Sequence, residues 1–492
     1  MLCYNLGSNF SGHFCGLRVG TMRCLLMIIS SLLVSVPVVA KEVTIHGFVT
    51  DIKSPTYFAI DDYKVTREDS LIFDLRTPHG AQHSSFRPED LRIGTELEVT
   101  GEYDEPSGEL KAKSIEIFLE DAKTVKRTAL LEQMPSLKKD GSGWTGEILA
   151  DSERLRVLPT TSVTIQANKS ERKKLPRHAA PEVSPLESLD VLNLDTFVHY
   201  EGTRQANGEI ETTKIEFEHA ELEPGEAKLW KKAEPDVKAP DYSALVPGEF
   251  KMHGCVYEFC TKEIVPSEEA QNYVTKLGES LIPAHQKELP TDDPLKVSFR
   301  FYLVKAKSFN AVSYPNGIVL VHSGVFDILQ NEAQLSFVLA HEISHVLEKH
   351  AWQAHQYHRK ELIALKAGGA LVPFGGFWVA DLAAAGIKND YARSLENQAD
   401  RVGLERMFAA GYDIREAPAS WKAVSDKKGD GPINPFWSSH DNKAMRRSYL
   451  MAELRNRYYD VDFSTLKKDS DEFHHVAEIV KGLEGKGRTK SQ

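Results

Sequence analysis

The chain has 492 residues, too many for one ordinary hydrophobic core, so two or three domains are expected. Its 71 acidic and 60 basic residues give a formal net charge of −11, which argues against nucleic-acid binding because that binding depends on clustered Lys and Arg. Apolar residues make up 41% of the chain without an uninterrupted run of 18 or more, which excludes a bundle of membrane spans and predicts a soluble globular protein.

The first 40 residues have the pattern of an export leader. Arg23 precedes an apolar segment that ends in Val38-Val39-Ala40, small residues of the kind that precede a signal-peptidase site. We expect a signal peptide over residues 1–40, with Met22 as an alternative start and an uncleaved anchor as the alternative to cleavage. The pattern predicts an exported protein, periplasmic or extracellular, with peripheral membrane association left open.

Cysteine usage agrees with export. Three of the five cysteines lie in the leader, which leaves Cys255 and Cys260 as a closely spaced pair. In an oxidising compartment this pair is a disulfide candidate, and two free thiols are the alternative.

Two segments in the first half of the chain repeat each other. GTELEVTGEYDEPSGELKAKSIEIF (94–118) is answered by DTFVHYEGTRQANGEIETTKIEF (195–217), with Gly101 aligned to Gly202. Both copies alternate apolar and polar residues and turn at Ser-Gly or Asn-Gly, which predicts two β-hairpins. We interpret the copies as two OB-like β domains. Packing or partner docking is their expected role, and oligosaccharide binding is the alternative.

The remainder of the chain predicts one larger, mainly helical domain with a single strand-like stretch within 310–329. The Pro- and charge-rich segment before it has the composition of a linker. The predicted fold class is therefore α+β, two small OB-like β domains followed by a mainly helical domain. The predicted boundaries are 41–125 and 126–222 for the β repeats, 223–248 for the linker, 249–460 for the helical domain and 461–492 for a C-terminal tail.

The sequence FVLAHEISHVLEKH (337–350) predicts a helix that carries a metal site. At about 100° per residue, His341 and His345 share one face, with Glu342 beside them. This arrangement suits a zinc ion and a base, and a solvated helix face is the alternative. The apolar positions form a separate stripe for the core, made of Leu335, Leu339, Ile343, Val346 and Leu347.

A catalytic zinc site needs about three protein ligands and one open position for water, so two histidines are incomplete. Glu396 and Asp400, in the segment LENQAD, are i and i+4 on one helix face, downstream of His345. One of these carboxylates is expected to bind the metal while the other supports the site from one turn away.

Residues 249–455 resemble the gluzincin peptidases of the HtpX, Oma and CAAX-prenyl-protease type. The resemblance rests on NAVSYPNGIVLVHSGVF, on HEISH, on ENQAD followed by Gly403, and on SSHDNKAMR (438–446), in family order and at similar spacing. It implies a zincin-type metallopeptidase domain with one Zn²⁺ per chain that hydrolyses peptide bonds. The membrane-spanning helices of some members have no counterpart here, which favours the exported soluble branch.

The resemblance also implies roles for individual residues. His341, His345 and Glu396 match the zinc ligands, and Glu342 matches the general base. Asp400 matches the carboxylate that orients a ligand histidine. His440 matches a histidine that faces the metal and either stabilises the oxyanion or blocks the open position, and Arg446 matches the arginine that follows it. Two positions depart from the pattern. Gln398 stands where many relatives have a second glutamate, and Asp441 where many have proline.

The strand that begins at Gly317 and runs to Val321, after Asn310, is expected to hold an extended substrate by edge pairing. The expected substrates are exported or misfolded proteins and peptides, without nucleic acid. The alternative is a zinc-bearing chaperone-like or binding protein of the cell envelope with little proteolysis, although the intact Glu342 favours the enzyme. Three further histidines lack a third ligand and are expected at the surface, namely His350, His355 and His358.

Overall fold

A computed structural model describes residues 41–60, 63–76, 87–104, 107–118, 124–167, 183–205, 207–219, 234–252, 261–293, 295–357, 390–428, 443–458 and 460–486. The predicted leader, Cys255, Cys260, His358 and His440 lie outside these residues. Within them the chain is a mixture of sheets and helices, with sheets in the N-terminal part and most helices in the C-terminal part. The predicted α+β class is confirmed at this level.

The first sheet has six strands in the order β3-β2-β1-β5-β6-β4. Strands β3 and β6 also pair in parallel, so five of the strands close into a ring around a core that includes Val49, Val99 and Ile115. The strands are β1 (Lys41–Ser54), β2 (Tyr57–Ile60), β3 (Tyr63–Thr66), β4 (Phe73–Arg76), β5 (Glu96–Asp104) and β6 (Glu109–Phe118).

The second sheet has the order β7-β12-β13-β10-β9-β8, with β11 paired to β10. An antiparallel bridge between Leu131 and Ala150 joins the end of β7 to the end of β9, so this sheet also curves back on itself. The strands are β7 (Thr124–Leu130), β8 (Ser136–Asp140), β9 (Gly143–Ala150), β10 (Glu153–Gln166), β11 (Val183–Pro185), β12 (Thr196–Arg204) and β13 (Ile210–His219).

Both hairpins predicted from the repeat are present, as β5–β6 and β12–β13. The aligned glycines Gly101 and Gly202 occupy the same place in each hairpin, where the register shifts by one residue. A Cβ at either position would lie 2.1 or 2.4 Å from a carbonyl oxygen of the partner strand, so only glycine allows this close pairing.

The third sheet has the order β14-β15-β16-β17-β19-β18 and supports the helices of the C-terminal part. Its strands are β14 (Asp236–Lys238), β15 (Gly248–Lys251), β16 (Thr261–Ile264), β17 (Arg300–Val304), β18 (Ala311–Ser313) and β19 (Ile318–His322). The helices are α1 (Glu268–Ser280), α2 (Ala284–Lys287), α3 (Glu332–Leu347), α4 (His350–Tyr357), α5 (Asp390–Ala409), α6 (Glu416–Lys428), α7 (Lys443–Arg457) and α8 (Asp471–Lys486). Short 3₁₀ helices span Pro88–Asp90, Leu189–Val191, Ser323–Asp327 and Phe463–Thr465.

The largest hydrophobic core lies between this sheet and the helices. The stripe predicted for α3 is part of it, since Leu335, Leu339 and Ile343 are fully buried there. Asn331 caps α3 by accepting a hydrogen bond from the backbone N–H of Gln334. None of the described helices is long and apolar enough to cross a membrane.

The C-terminal half contains more strands and helices than the sequence predicts. From residue 248 onward the described residues contain five strands rather than one, because strands of three to five residues are too short to show a period against helical surroundings. The predicted tail instead contains α8, whose Phe473, Val476 and Val480 pack into the largest core. The predicted linker also contributes β14, which pairs with β15.

The two N-terminal sheets contact the helices directly. The ring of Phe197 on β12 stacks on Trp352 of α4 at a centroid distance of 5.4 Å. Phe48 on β1 packs edge-on against Tyr449 of α7 at 6.2 Å. The β sheets therefore cover α4, α5 and α7 from outside, and α5 and α7 carry residues of the candidate site.

Candidate metal centre

Helices α3 and α5 bring three candidate ligands together. His341 and His345 lie one turn apart on α3, with their Nε2 atoms 2.9 Å from each other. Glu396 on α5 faces both, with carboxylate oxygens 3.4 Å from each Nε2 atom. One donor atom from each residue falls within 4.8 Å of the others. Two imidazoles and a carboxylate are a known donor set for catalytic zinc, so the residues fit that ion.

The close approach of α5 to α3 depends on Gly403. A Cβ at Gly403 would lie 3.1 Å from the backbone nitrogen of His341, which is tighter than most side chains allow. The glycine that follows ENQAD therefore lets the two helices pack closely enough for Glu396 to reach the histidine pair.

Asp400 lies behind His341, one turn from Glu396 on α5. Its Oδ1 is 3.0 Å from Nδ1 of His341, so a hydrogen bond from that nitrogen leaves Nε2 facing His345 and Glu396. Arg446 donates from Nε to Oδ2 of Asp400 at 2.9 Å and is fully buried. The guanidinium also lies 4.0 Å from the ring centre of Trp421. Asp400 and Arg446 thus form a buried ion pair that supports the ring orientation of His341.

These contacts change how the groups titrate. Burial and the nearby Arg446 lower the pKa of His341, but hydrogen bonds to Asp400 and Glu396 outweigh them and raise it to about 9. Burial raises the pKa of Asp400, yet the Arg446 charge prevails and lowers it. For His345, burial lowers the pKa. A metal ion would therefore bind His345 in its neutral form and displace a proton from His341.

The side chain of Glu342 points from α3 toward β18 of the third sheet. Its Oε2 accepts a hydrogen bond of 2.7 Å from the hydroxyl of Ser313, the last residue of β18. Its Oε1 is buried and has no hydrogen-bond partner among the described atoms. A buried carboxylate oxygen without a partner is costly, so this atom is suited to meet a water or a reacting group.

The edge strand beside Glu342 differs from the expectation. Gly317 has φ +84 in the turn before β19, and β19 lies between β17 and β18, so edge pairing at 317–321 is wrong. β18 is an edge strand of the third sheet, because among the described strands it pairs with β19 alone. Asn310 directly precedes β18, and its carbonyl accepts from the His322 N–H at 2.9 Å. The sheet edge nearest Glu342 is therefore Ala311–Ser313.

The sequence predicts His350 at the surface, but in the structure it is 2% exposed and lies against the site. Its Nδ1 is 2.9 Å from Nδ1 of His345. The prediction fails because α3 ends at Leu347 and Lys349 adopts the left-handed conformation with φ 53, which turns the chain back before α4 begins. A single continuous helix would have placed His350 on another face. Burial lowers the pKa of His350 well below its usual value.

Sequence reasoning missed Ser313 and His350 as neighbours of the site. Ser313 lies inside the motif NAVSYPNG, but no spacing rule links a strand residue to a base 29 residues later. His350 and the HEISH pair share a short segment, and only the break at Lys349 shows their contact.

Comparison with known proteins agrees with this geometry. Residues 268–454 match the model of Peptidase family M48. The chain is 28% identical over 229 residues to the beta-barrel assembly-enhancing protease of Escherichia coli strain K12, covering 44% of this chain and 45% of the relative. It is 31% identical over 168 residues to the mitochondrial metalloendopeptidase OMA1 of Bos taurus, covering 32% of each. A putative beta-barrel assembly-enhancing protease of Vibrio cholerae is 26% identical over 206 residues, covering 39% of this chain and 41% of that protein.

The fold and the donor set thus define a metallopeptidase-type domain. The match of residues 268–454 to Peptidase family M48 falls on the segment that contains all three candidate ligands. The chain spans less than half the length of the curated relatives it matches.

Proposed function

We propose that this protein is a zinc-dependent metalloendopeptidase. The observation that carries the proposal is the convergence of His341, His345 and Glu396 within 4.8 Å, inside the segment that matches the peptidase family. In this proposal those three residues hold one Zn²⁺ per chain. Glu342, on the same helix as the two histidines, is the general base.

A zinc ion in this site supplies a Lewis acid that lowers the pKa of water and polarises a peptide carbonyl. The side chain of Glu342 takes a proton from the attacking water and returns it to the departing amine. Its partnerless Oε1 supports this role, and Ser313 supports it by holding the other oxygen at 2.7 Å. Asp400 and Arg446 keep His341 oriented, and His440 is proposed to face the same site.

The substrate is proposed to be an extended segment of an unfolded protein. Strand β18 ends at Ser313 beside the base, and an added strand there would place its backbone next to Glu342. Backbone pairing is indifferent to most side chains, so broad specificity follows. The leader pattern favours exported or misfolded proteins as substrates, in the periplasm or outside the cell. Bacterial relatives are named for beta-barrel assembly, which agrees with protein substrates.

The two N-terminal sheets are proposed to be OB-like barrels that dock on the peptidase domain. Each sheet contains a parallel pair in which the last hairpin strand takes part, β3 with β6 in the first and β10 with β13 in the second, which supports a common origin of the repeat. Their contacts with α4 and α7 favour a packing role.

Zinc content and chelation test the proposal. The purified protein should hold one zinc per chain, cleave an unfolded protein substrate, lose that activity with a chelator and regain it with added zinc. The Glu396→Ala variant should lose most of the zinc, because the site keeps two of its three protein ligands. As a control, the exposed Glu478→Gln should behave as wild type. Full zinc in Glu396→Ala would refute the ligand set, and zinc-loaded protein that cleaves nothing would favour a binding protein.

A further inference from the structure

Behind the candidate ligand His345, a chain of hydrogen bonds leads away from the metal site. His345 Nδ1 lies 2.9 Å from His350 Nδ1. The other ring nitrogen of His350, Nε2, lies 3.2 Å from Oε1 of Gln398 on α5. The amide nitrogen of Gln398 then donates to the carbonyl of Thr128 on β7 at 3.0 Å and to Oδ1 of Asp151 at 3.2 Å. The chain therefore ends in the second sheet.

The acceptor groups in the second sheet determine the direction of each hydrogen bond between Gln398 and His345. The carbonyl of Thr128 and the carboxylate of Asp151 only accept, so they require the NH₂ group of Gln398 on their side. Oε2 of Glu348 lies 3.3 Å from the same nitrogen, so the NH₂ group also faces this carboxyl. Oε1 of Gln398 therefore faces His350, and it accepts from Nε2–H of that ring.

The protons on the two histidines follow from this direction. A neutral His350 with its proton on Nε2 has a lone pair on Nδ1, and that nitrogen accepts. His345 then carries its proton on Nδ1 and directs the lone pair of Nε2 away from His350. Nε2 of His345 is the atom that faces His341 and Glu396. The arrangement is the one that a metal-binding imidazole needs.

The anchor at the far end is rigid. Asp151 is fully buried and has a left-handed backbone with φ 60, a conformation that Asp tolerates better than most residues. Its Oδ2 accepts from the Tyr200 hydroxyl at 3.1 Å and from Arg401 on α5. The carboxylate that orients Gln398 is therefore itself held by groups from the second sheet and from α5.

We propose that His350 and Gln398 are positioning residues that fix the tautomer of His345. Because the second β sheet orients Gln398, it contributes to the metal site. The inference rests on the proposed zinc ligands. It gives the N-terminal repeat a function beyond packing, because displacement of the second sheet from α5 would release Gln398 and weaken metal binding.

The test is the zinc dissociation constant of the purified full chain, measured by competition with a chelator of known affinity. His350→Leu keeps the bulk but removes both ring nitrogens, and we expect zinc to bind about 10- to 100-fold more weakly. His350→Asn keeps an acceptor oxygen close to the position of Nδ1, so we expect an affinity within about threefold of wild type. Circular dichroism of the metal-free variants reports whether each one folds.

A second pair of variants tests the link to the second sheet. Gln398→Leu should weaken zinc binding by about tenfold or more, because His350 loses the acceptor that sets its proton. The matched control is Asn397→Leu, the same change one residue earlier at a half-buried side chain, and it should bind zinc as wild type does. This pair carries the test if His350→Leu does not fold.

The outcomes separate this inference from the proposed function. Wild-type zinc affinity in folded His350→Leu or Gln398→Leu would overturn the inference and leave the ligand set intact. Equal weakening in His350→Asn and His350→Leu would show a packing role and would also overturn it. Wild-type protein that binds no zinc would refute the proposed function, and the inference with it.

Discussion

The Glu348 carboxyl, which lies at the contact between α3 and the second sheet, predicts how stability changes with pH. The residue caps the C-terminal end of α3 and is 2% exposed. Burial and the neighbouring carboxylates of Asp151 and Glu132 raise its pKa from 4.5 to about 8, although Arg406 opposes the shift. The guanidinium of Arg406 is 3.9 Å away, too far for a strong ion pair. The carboxyl is therefore neutral in the folded protein at neutral pH.

The sign of the effect follows from proton binding. Between pH 4.5 and about 8 the folded state holds a proton on Glu348 that the unfolded state has lost. The free energy of unfolding therefore falls as pH rises through this range. Each pH unit costs about 1.4 kcal/mol, so the interval allows a loss of at most about 5 kcal/mol.

Glu348→Gln isolates this contribution, because the amide is nearly isosteric, uncharged at every pH and still able to accept from the Leu130 N–H. Urea unfolding followed by circular dichroism at pH 5, 6.5 and 8 should show the variant gaining stability over wild type as pH rises. The exposed Glu478→Gln serves as the control and should run parallel to wild type. A stability difference that stays constant from pH 5 to 8 would mean that Glu348 is ionised in the folded protein, and the reasoning would fail.

Three further predictions concern two residues of the site and the cysteine pair. Ser313→Ala removes the hydrogen bond to the base, so kcat/KM for an unfolded substrate should fall about three- to tenfold with unchanged zinc content. Arg446→Met removes the guanidinium that pairs with the buried Asp400 and leaves that carboxylate only its contact with His341, so urea unfolding should show a loss of about 3 kcal/mol. Cys255 and Cys260 should be joined by a disulfide in exported protein, and two free thiols by mass spectrometry without reductant would contradict this.

The features that sequence predicted well are those with a short period or a local motif. The repeat identified both hairpins because glycine at 101 and 202 is required by the same bulge. The apolar stripe of α3 identified the face that enters the core. The i, i+4 spacing of Glu396 and Asp400 placed both carboxylates beside His341, where they lie in the structure.

The features that sequence did not predict depend on contacts between distant segments. Strands of three to five residues in the third sheet exist because their neighbours pair with them, and they show no period of their own. The contact of His350 with the site depends on one left-handed residue, Lys349, for which the sequence offers no glycine as a signal. Gln398 on α5 contacts Thr128 and Asp151 in the second sheet, and a contact between such distant segments can be found only from the packed structure.

The docking of the second sheet on α7 buries a charged network. Glu153 on β10 is 2% exposed, accepts from Arg127 at 2.7 Å, and lies 3.6 Å from the guanidinium of Arg457 on α7. Arg127 also donates to Glu453 of α7 at 3.2 Å, so the network crosses the interface. Burial raises the pKa of Glu153, but the surrounding arginines outweigh it and lower the pKa to about 2. Because removing one member of such a network leaves buried charge unpaired, the network favours one docking arrangement over others.

The most direct test of the proposed function is the activity of Glu342→Gln with its zinc content measured in the same sample. The amide keeps the shape of the side chain and does not belong to the ligand set, so zinc content and fold should equal those of wild type. Cleavage of an unfolded protein should fall by at least about 10² to 10⁴, because the amide cannot accept the proton of the attacking water. Wild-type cleavage by zinc-loaded Glu342→Gln would contradict the account, since the reacting groups would then lie elsewhere in the chain.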